Sequence, residues 1–84
     1  MTLKERVIRT ILDGKRFGRS GRMRMVSCSK LENARMLSGC RRLRELKSDY
    51  TWETGDSTPY IYFHKEKNYG FYPDFVKWLK RRAV

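Results

Sequence analysis

Arg41, Arg42, Arg44 and Lys47 crowd one short segment in which Glu45 is the one acid. A planar guanidinium can pair with guanine O6 and N7 in the major groove of duplex DNA, or with two oxygens of a phosphate. The hydroxyl of Ser38, with the first amides of a helix starting beside it, can hold a further phosphate. Arg41 has a competing use, because Glu45 lies four residues on and can pair with it on a solvated helix face. For the set as a whole, one acid cannot neutralise four bases.

A second basic run lies upstream in GKRFGRSGRMRMV, where Lys15, Arg16, Arg19, Arg22 and Arg24 are threaded by Gly14, Gly18 and Gly21 without an acid. Such a segment suits phosphate contacts that carry no sequence preference. The chain has 20 Lys+Arg against 9 Asp+Glu, a formal net charge of +11. Because the bases cluster at 15–24, 35–47 and 77–82, the excess favours a polyanionic partner through counterion release over mere solubility.

Other chemistry finds no residues to carry it. No serine–histidine–acid order, P-loop or GxGxxG is present, and His64 is the one histidine. Asp13, Glu32 and Glu53 are scattered, so no enzyme and no cofactor are expected. Cys28 and Cys40 form no CxxC, and with a single histidine they fall short of the four ligands of a structural zinc site. They are expected as reduced, buried thiols rather than a disulfide.

The elements that must position these residues follow from spacing. Thr2 and Glu5 form a capping box ahead of Leu3, Val7, Ile8, Ile11 and Leu12, which predicts a helix over Leu3–Asp13 closed by Gly14. The basic run then reads as a mobile loop, with a short strand ending near Val26. Ser29 and Glu32 form a second capping box. Ser38 is a good N-cap, and Gly39 inside a helix costs about 1 kcal/mol relative to alanine. Two helices broken at Ser38-Gly39 are therefore expected, with Cys40, Leu43 and Leu46 on the buried face of the second.

After Asp49 the pattern changes to YTWE and YIYFHK around Thr54-Gly55-Asp56-Ser57, which predicts a β-hairpin from Tyr50 to Tyr62. Pro73 suits a first helical position, with Asp74 near the start, Phe75, Trp78 and Leu79 on one face, and Lys77, Lys80, Arg81 and Arg82 towards the C-terminal end. The aromatic residues of the hairpin are expected in the core of so small a domain rather than stacked on bases.

The segment CRRLRELKSDYTWE resembles the third helix and first wing strand of small phage-type winged helix-turn-helix DNA-binding proteins. Arg42, Leu43, Glu45, Leu46, Lys47 and Tyr50 carry the match to their R-[LI]-x-E-L-[RK] segment and the aromatic residue that opens the wing. LKERVIRTILDGK is similar to their first helix. The likeness covers roughly Leu3–His64 in element order. Two departures stand out: the segment before Ser29 is long and basic, and the hairpin expected at Tyr50–Tyr62 holds Glu53 and Asp56 but no Lys or Arg.

The resulting expectation is one α+β domain over 1–84. It is a winged helix-turn-helix with a three-helix core and β-hairpin wing over about 3–64, and a short C-terminal helix over about 73–82. The resemblance implies sequence-specific binding of double-stranded DNA by a small phage- or plasmid-type transcription regulator, the third helix entering the major groove. Lys15, Arg16, Arg19, Arg22, Arg24, Ser38, Arg41, Arg42, Arg44 and Lys47 are its expected contacts. A protein-interaction module acting on a host nucleic-acid machine, and RNA binding through the basic loop, are the alternatives. A homodimer is left open. With no signal peptide and no long apolar run, a cytoplasmic or nucleoid-associated protein without membrane contact is expected.

Overall fold

The computed structural model of the protein describes residues 2–32 and 39–82. The first helix, α1 (Leu3–Leu12), starts as its capping box predicts: Thr2 Oγ1 accepts from Glu5 N at 3.1 Å. Val7, Ile8 and Ile11 are its buried stripe. Gly14 does follow the helix, but not for a left-handed turn, since its φ is not positive. A Cβ there would lie 2.8 Å from both the Met25 carbonyl oxygen and Val26 Cγ2. Glycine is needed because the chain leaving α1 runs hard against the sheet.

The basic run is not a loop. Lys15–Phe17 (β1) folds back on Met23–Ser27 (β2), with Lys15 opposite Met25 and Phe17 opposite Met23. Gly18 (φ 89°) and Gly21 (φ 65°) supply the left-handed conformations that reverse the chain. The strand expected near Val26 is present, and it is Arg24 and Val26, not the methionines, that face the core.

Helix α2 (Cys28–Leu31) is capped two residues earlier than predicted: Ser27, not Ser29, accepts from Lys30 N. Glu32 is its C-cap rather than the return arm of a capping box. The next helix, α3, is described from Gly39 to Thr54; the break expected at Ser38-Gly39 falls on residue 38, which lies outside the described residues. Gly39 again marks a close approach, because a Cβ on it would stand 1.8 Å from the Leu31 carbonyl oxygen.

The strand expected at Tyr50–Trp52 is helical. Leu43, Leu46 and Tyr50 fall at i, i+3 and i+7 and are all buried, so the α3 stripe continues past Asp49. The Tyr50 ring meets Phe75 at 5.1 Å and Trp78 at 5.5 Å, both edge-on. That packing overrides the β propensity of Tyr-Thr-Trp. Gly55 (φ 78°) ends the helix, its N–H donating to the Thr51 carbonyl. The turn residues of 54–57 thus terminate a helix instead of joining two strands.

The observed second hairpin is Tyr60–Phe63 (β3) against Asn68–Phe71 (β4), closed by His64-Lys65-Glu66-Lys67. Pro73 opens α4 (Pro73–Arg82), as its type predicts. The strands form one antiparallel sheet in the order β1-β2-β4-β3. All four described helices contribute to one core on its inner face, including Val7, Ile11, Leu31, Leu46, Phe71 and Leu79. The outer face carries Phe17, Met23, Met25, Ile61 and Phe63. From opposite edges, Phe17 and Phe63 close over Gly70, where a Cβ would meet each ring at 2.9 Å.

Candidate nucleic-acid interface

The predicted contacts divide into two groups at opposite edges of the sheet. Arg41, Arg44 and Lys47 form one outward row on α3, spaced three residues apart and exposed. The Arg41–Glu45 pair that would have consumed Arg41 does not form. Arg42 Nη1 instead donates to both oxygens of Glu45, at 2.7 and 2.9 Å. Arg42 is thereby half-buried and committed, and the acid is neutralised next to the row. Arg41 and Arg44 have no carboxylate partner among the described residues. Lys47 lies over the Tyr60 ring at 5.6 Å to the centroid, a cation–π contact that holds its stem against β3. Burial raises the Tyr60 phenol above its usual range, opposed by nearby Arg44.

The N-terminal turn of α3 and the tip of the second hairpin share one end of the molecule. Cys40 Sγ reaches the Tyr69 hydroxyl at 4.0 Å, and Tyr69 pairs with Tyr62 one step from the Phe63–Asn68 end of the ladder. The tip carries Lys65 and Lys67, both exposed. The acidic wing expected at Tyr50–Tyr62 is therefore corrected: Glu53 lies on α3, Asp56 follows it, and the observed hairpin tip is basic. Glu53 has a structural task. It accepts from Trp78 Nε1 at 2.6 Å and pairs with Arg82, tying α3 to α4.

At the other edge, Arg16, Arg22 and Arg24 of the first hairpin meet Lys77 and Lys80 of α4 around a cleft of about 370 Å³. Ser20, Gly21, Pro73 and Val76 complete the lining, which includes no acid. Arg24 is 7% exposed and sits opposite Phe71. It has no hydrogen-bond or carboxylate partner among the described residues, yet none of its nitrogens is sealed from solvent. Lys15 and Arg19 are exposed, but neither lines this cleft: Lys15 is on the outer sheet face and Arg19 in the turn. Lys77 and Lys80 were missed as site residues because their sequence position suggested only a favourable helix terminus. Their i,i+3 spacing puts them on one side of α4, but only the tertiary fold brings the hairpin against them.

The cysteines are free and half-buried. Cys28, Glu32 and Cys40 place their ligand atoms within 4.8 Å of one another. The Cys40 thiol donates to Glu32 Oε1 at 3.0 Å and is pushed up to about 11, by burial first and by this bond second. These three could contribute to a metal's coordination, one ligand short of the four that close a structural zinc site.

Comparison with protein-family models, curated proteins and solved structures finds no match to this chain. Among the described residues, no helix is long and apolar enough to cross a membrane.

Proposed function

We propose that the protein binds double-stranded DNA with sequence preference, as a winged helix-turn-helix regulator of the small phage or plasmid type. The observation that carries this reading is the exposed α3 row of Arg41, Arg44 and Lys47, left without a carboxylate partner among the described residues while Glu45 is taken by Arg42, and starting from the end of the molecule that carries a basic hairpin tip. The order α1–β2–α2–α3–β3–β4 supports this reading, because it matches the order expected of a winged helix domain once β1 and α4 are set aside as additions. In this arrangement α3 enters the major groove, Arg41 and Arg44 read base edges, and Lys65 and Lys67 of the β3–β4 wing grip phosphate. Arg42 holds Glu45 away from the DNA backbone rather than contacting phosphate itself.

The test is selection of preferred duplexes from a random pool, followed by titration at several salt concentrations. Arg41→Ala should lose about 1–3 kcal/mol on the selected site and much less on random duplex. Lys67→Ala should weaken both equally and flatten the salt slope by roughly one unit. Absence of duplex affinity at ~0.1 M salt would defeat the proposal. One observation favours a second reading, a protein-interaction module that recruits or inhibits a host nucleic-acid machine. Trp52 projects from α3 with 90% of its surface exposed, and tryptophan is enriched among the residues that dominate protein interfaces.

A further inference from the structure

We propose that the cleft between the β1–β2 hairpin and α4 is a binding site for a phosphate group, separate from the α3 and wing surface. Two independent observations meet there. Arg16, Arg22, Arg24, Lys77 and Lys80 converge on a cavity of about 370 Å³ whose lining includes no acid. That volume falls in the roughly 300–1,000 Å³ range of ligand pockets. In addition, Arg24 lines this cleft while more than nine-tenths buried, without a hydrogen-bond or carboxylate partner among the described residues.

A buried charge is expensive unless paired. The half-buried cations among the described residues each take a carboxylate: Arg42 gives Nη1 to Glu45, although its Nε is buried without a partner, and Lys4 takes Asp49. Arg24 takes none among those residues, on a central strand where an apolar side chain opposite Phe71 would have served the core better. The partner that satisfies it must come from outside and carry negative charge. A guanidinium fork presents parallel N–H donors matched to two oxygens of a tetrahedral phosphate, and the four surrounding cations suit more than a single negative charge. Carboxylate ligands would use the fork equally but leave most of the cations unanswered. Ser20 and Gly21 at the rim add a hydroxyl and a backbone turn close enough to line the same space.

Phosphate of this kind is found on nucleic-acid backbones and on small phosphorylated molecules. The site is independent of the DNA reading, and the test separates the two. Pyrophosphate is titrated into the full chain at low salt, following backbone amide shifts by NMR and heat by calorimetry. Shifts confined to 16–24 and 73–80 with saturable binding are expected. Arg24→Met should weaken pyrophosphate binding about ten- to hundredfold, the loss of one charge-assisted bidentate contact. Lys67→Ala, at the distant wing, should leave it unchanged. If duplex DNA displaces pyrophosphate and Arg24→Met also weakens DNA binding, the phosphate belongs to the nucleic-acid backbone. If duplex binds without displacing it, or does not bind at all, the ligand is a small phosphorylated molecule. Diffuse shifts over every basic surface, or affinity unchanged in Arg24→Met, would overturn the site, whatever the result for DNA.

Discussion

Replacing Arg24 with methionine should make the protein more stable. The exchange keeps an unbranched side chain of similar reach opposite Phe71 and removes a charge that has no carboxylate partner among the described residues. Substituting apolar groups for buried ion pairs is neutral or stabilising by up to about 1–4 kcal/mol, even though an attraction is lost with the pair. At Arg24 there is no such attraction to lose. The change also relieves repulsion from Arg16, Arg22, Lys77 and Lys80 around the cleft. Against this, the guanidinium nitrogens keep some solvent contact, which lowers the desolvation cost now being paid. A gain of about 1–2 kcal/mol follows, or a rise in Tm of roughly 4–8 °C for each kcal/mol in a domain of this size. Urea unfolding at low and high salt reads it as a higher midpoint at constant slope. The gain should shrink at high salt, where the like charges are screened. Arg24→Lys keeps the charge and should show no gain. A lower midpoint for Arg24→Met at unchanged slope would mean that the arginine holds the fold together, and the case for an external anion would lose its physical basis.

Other perturbations test the packing. Leu43→Ala should cost about 2–5 kcal/mol in chemical denaturation, since Leu43 is 1% exposed in the core. Gly39→Ala should cost about 1–3 kcal/mol or more, because the clash is with the backbone oxygen of Leu31 rather than with a side chain that can turn away; thermal unfolding measures it. Tyr50→Phe should lose about 0.5–1.5 kcal/mol through the hydrogen bond from its hydroxyl to Asp56 Oδ2 at 3.0 Å, leaving the ring packing intact. Burial raises the pKa of Tyr50 and of Tyr60, so the folded state holds these protons longer than the unfolded chain. Their contribution is fully present below about pH 10 and is lost as pH rises through the folded values. Ultraviolet titration should show tyrosines ionising later in the native protein than in urea.

Local signals in the sequence identified the elements that local chemistry controls. The Thr2 cap, the α1 stripe and Pro73 each placed a helix start or face correctly, because each acts within one or two turns. Tyr50 shows where this fails. Its neighbours Thr51 and Trp52 favour a strand, but Phe75 and Trp78, distant in sequence, draw its ring into a helix stripe. Ser27 and Ser29 offer nearly equal caps, and the choice rests on where β2 ends. Helical spacing sets Arg41 and Arg44 outward on α3, but it puts Lys47 nearer the core seam, whereas Lys47 is exposed, and it leaves open whether Glu45 takes Arg41; the structure gives Glu45 to Arg42. The cleft was not legible as a site. Alternation along Met23–Ser27 does not say which set of residues turns inward, and nothing in the local sequence joins Arg24 to Lys77 and Lys80.

The element order reads helix, hairpin, helix in one half of the chain and the same again in the other, and the halves meet where β2 lies antiparallel to β4. Each hairpin closes over a short turn. The junction between them, with Arg24 opposite Phe71, spans more than half the chain and must overcome the larger loop-closure entropy. Arg24 therefore stands at the seam of the fold, and a charge without a partner among the described residues works against the sheet pairing that joins the two halves there. An anion that settles on it would bind the assembled sheet and not the separated hairpins. Occupancy of the cleft and closure of the seam then become a single linked equilibrium, in which ligand concentration sets how firmly the two halves are joined.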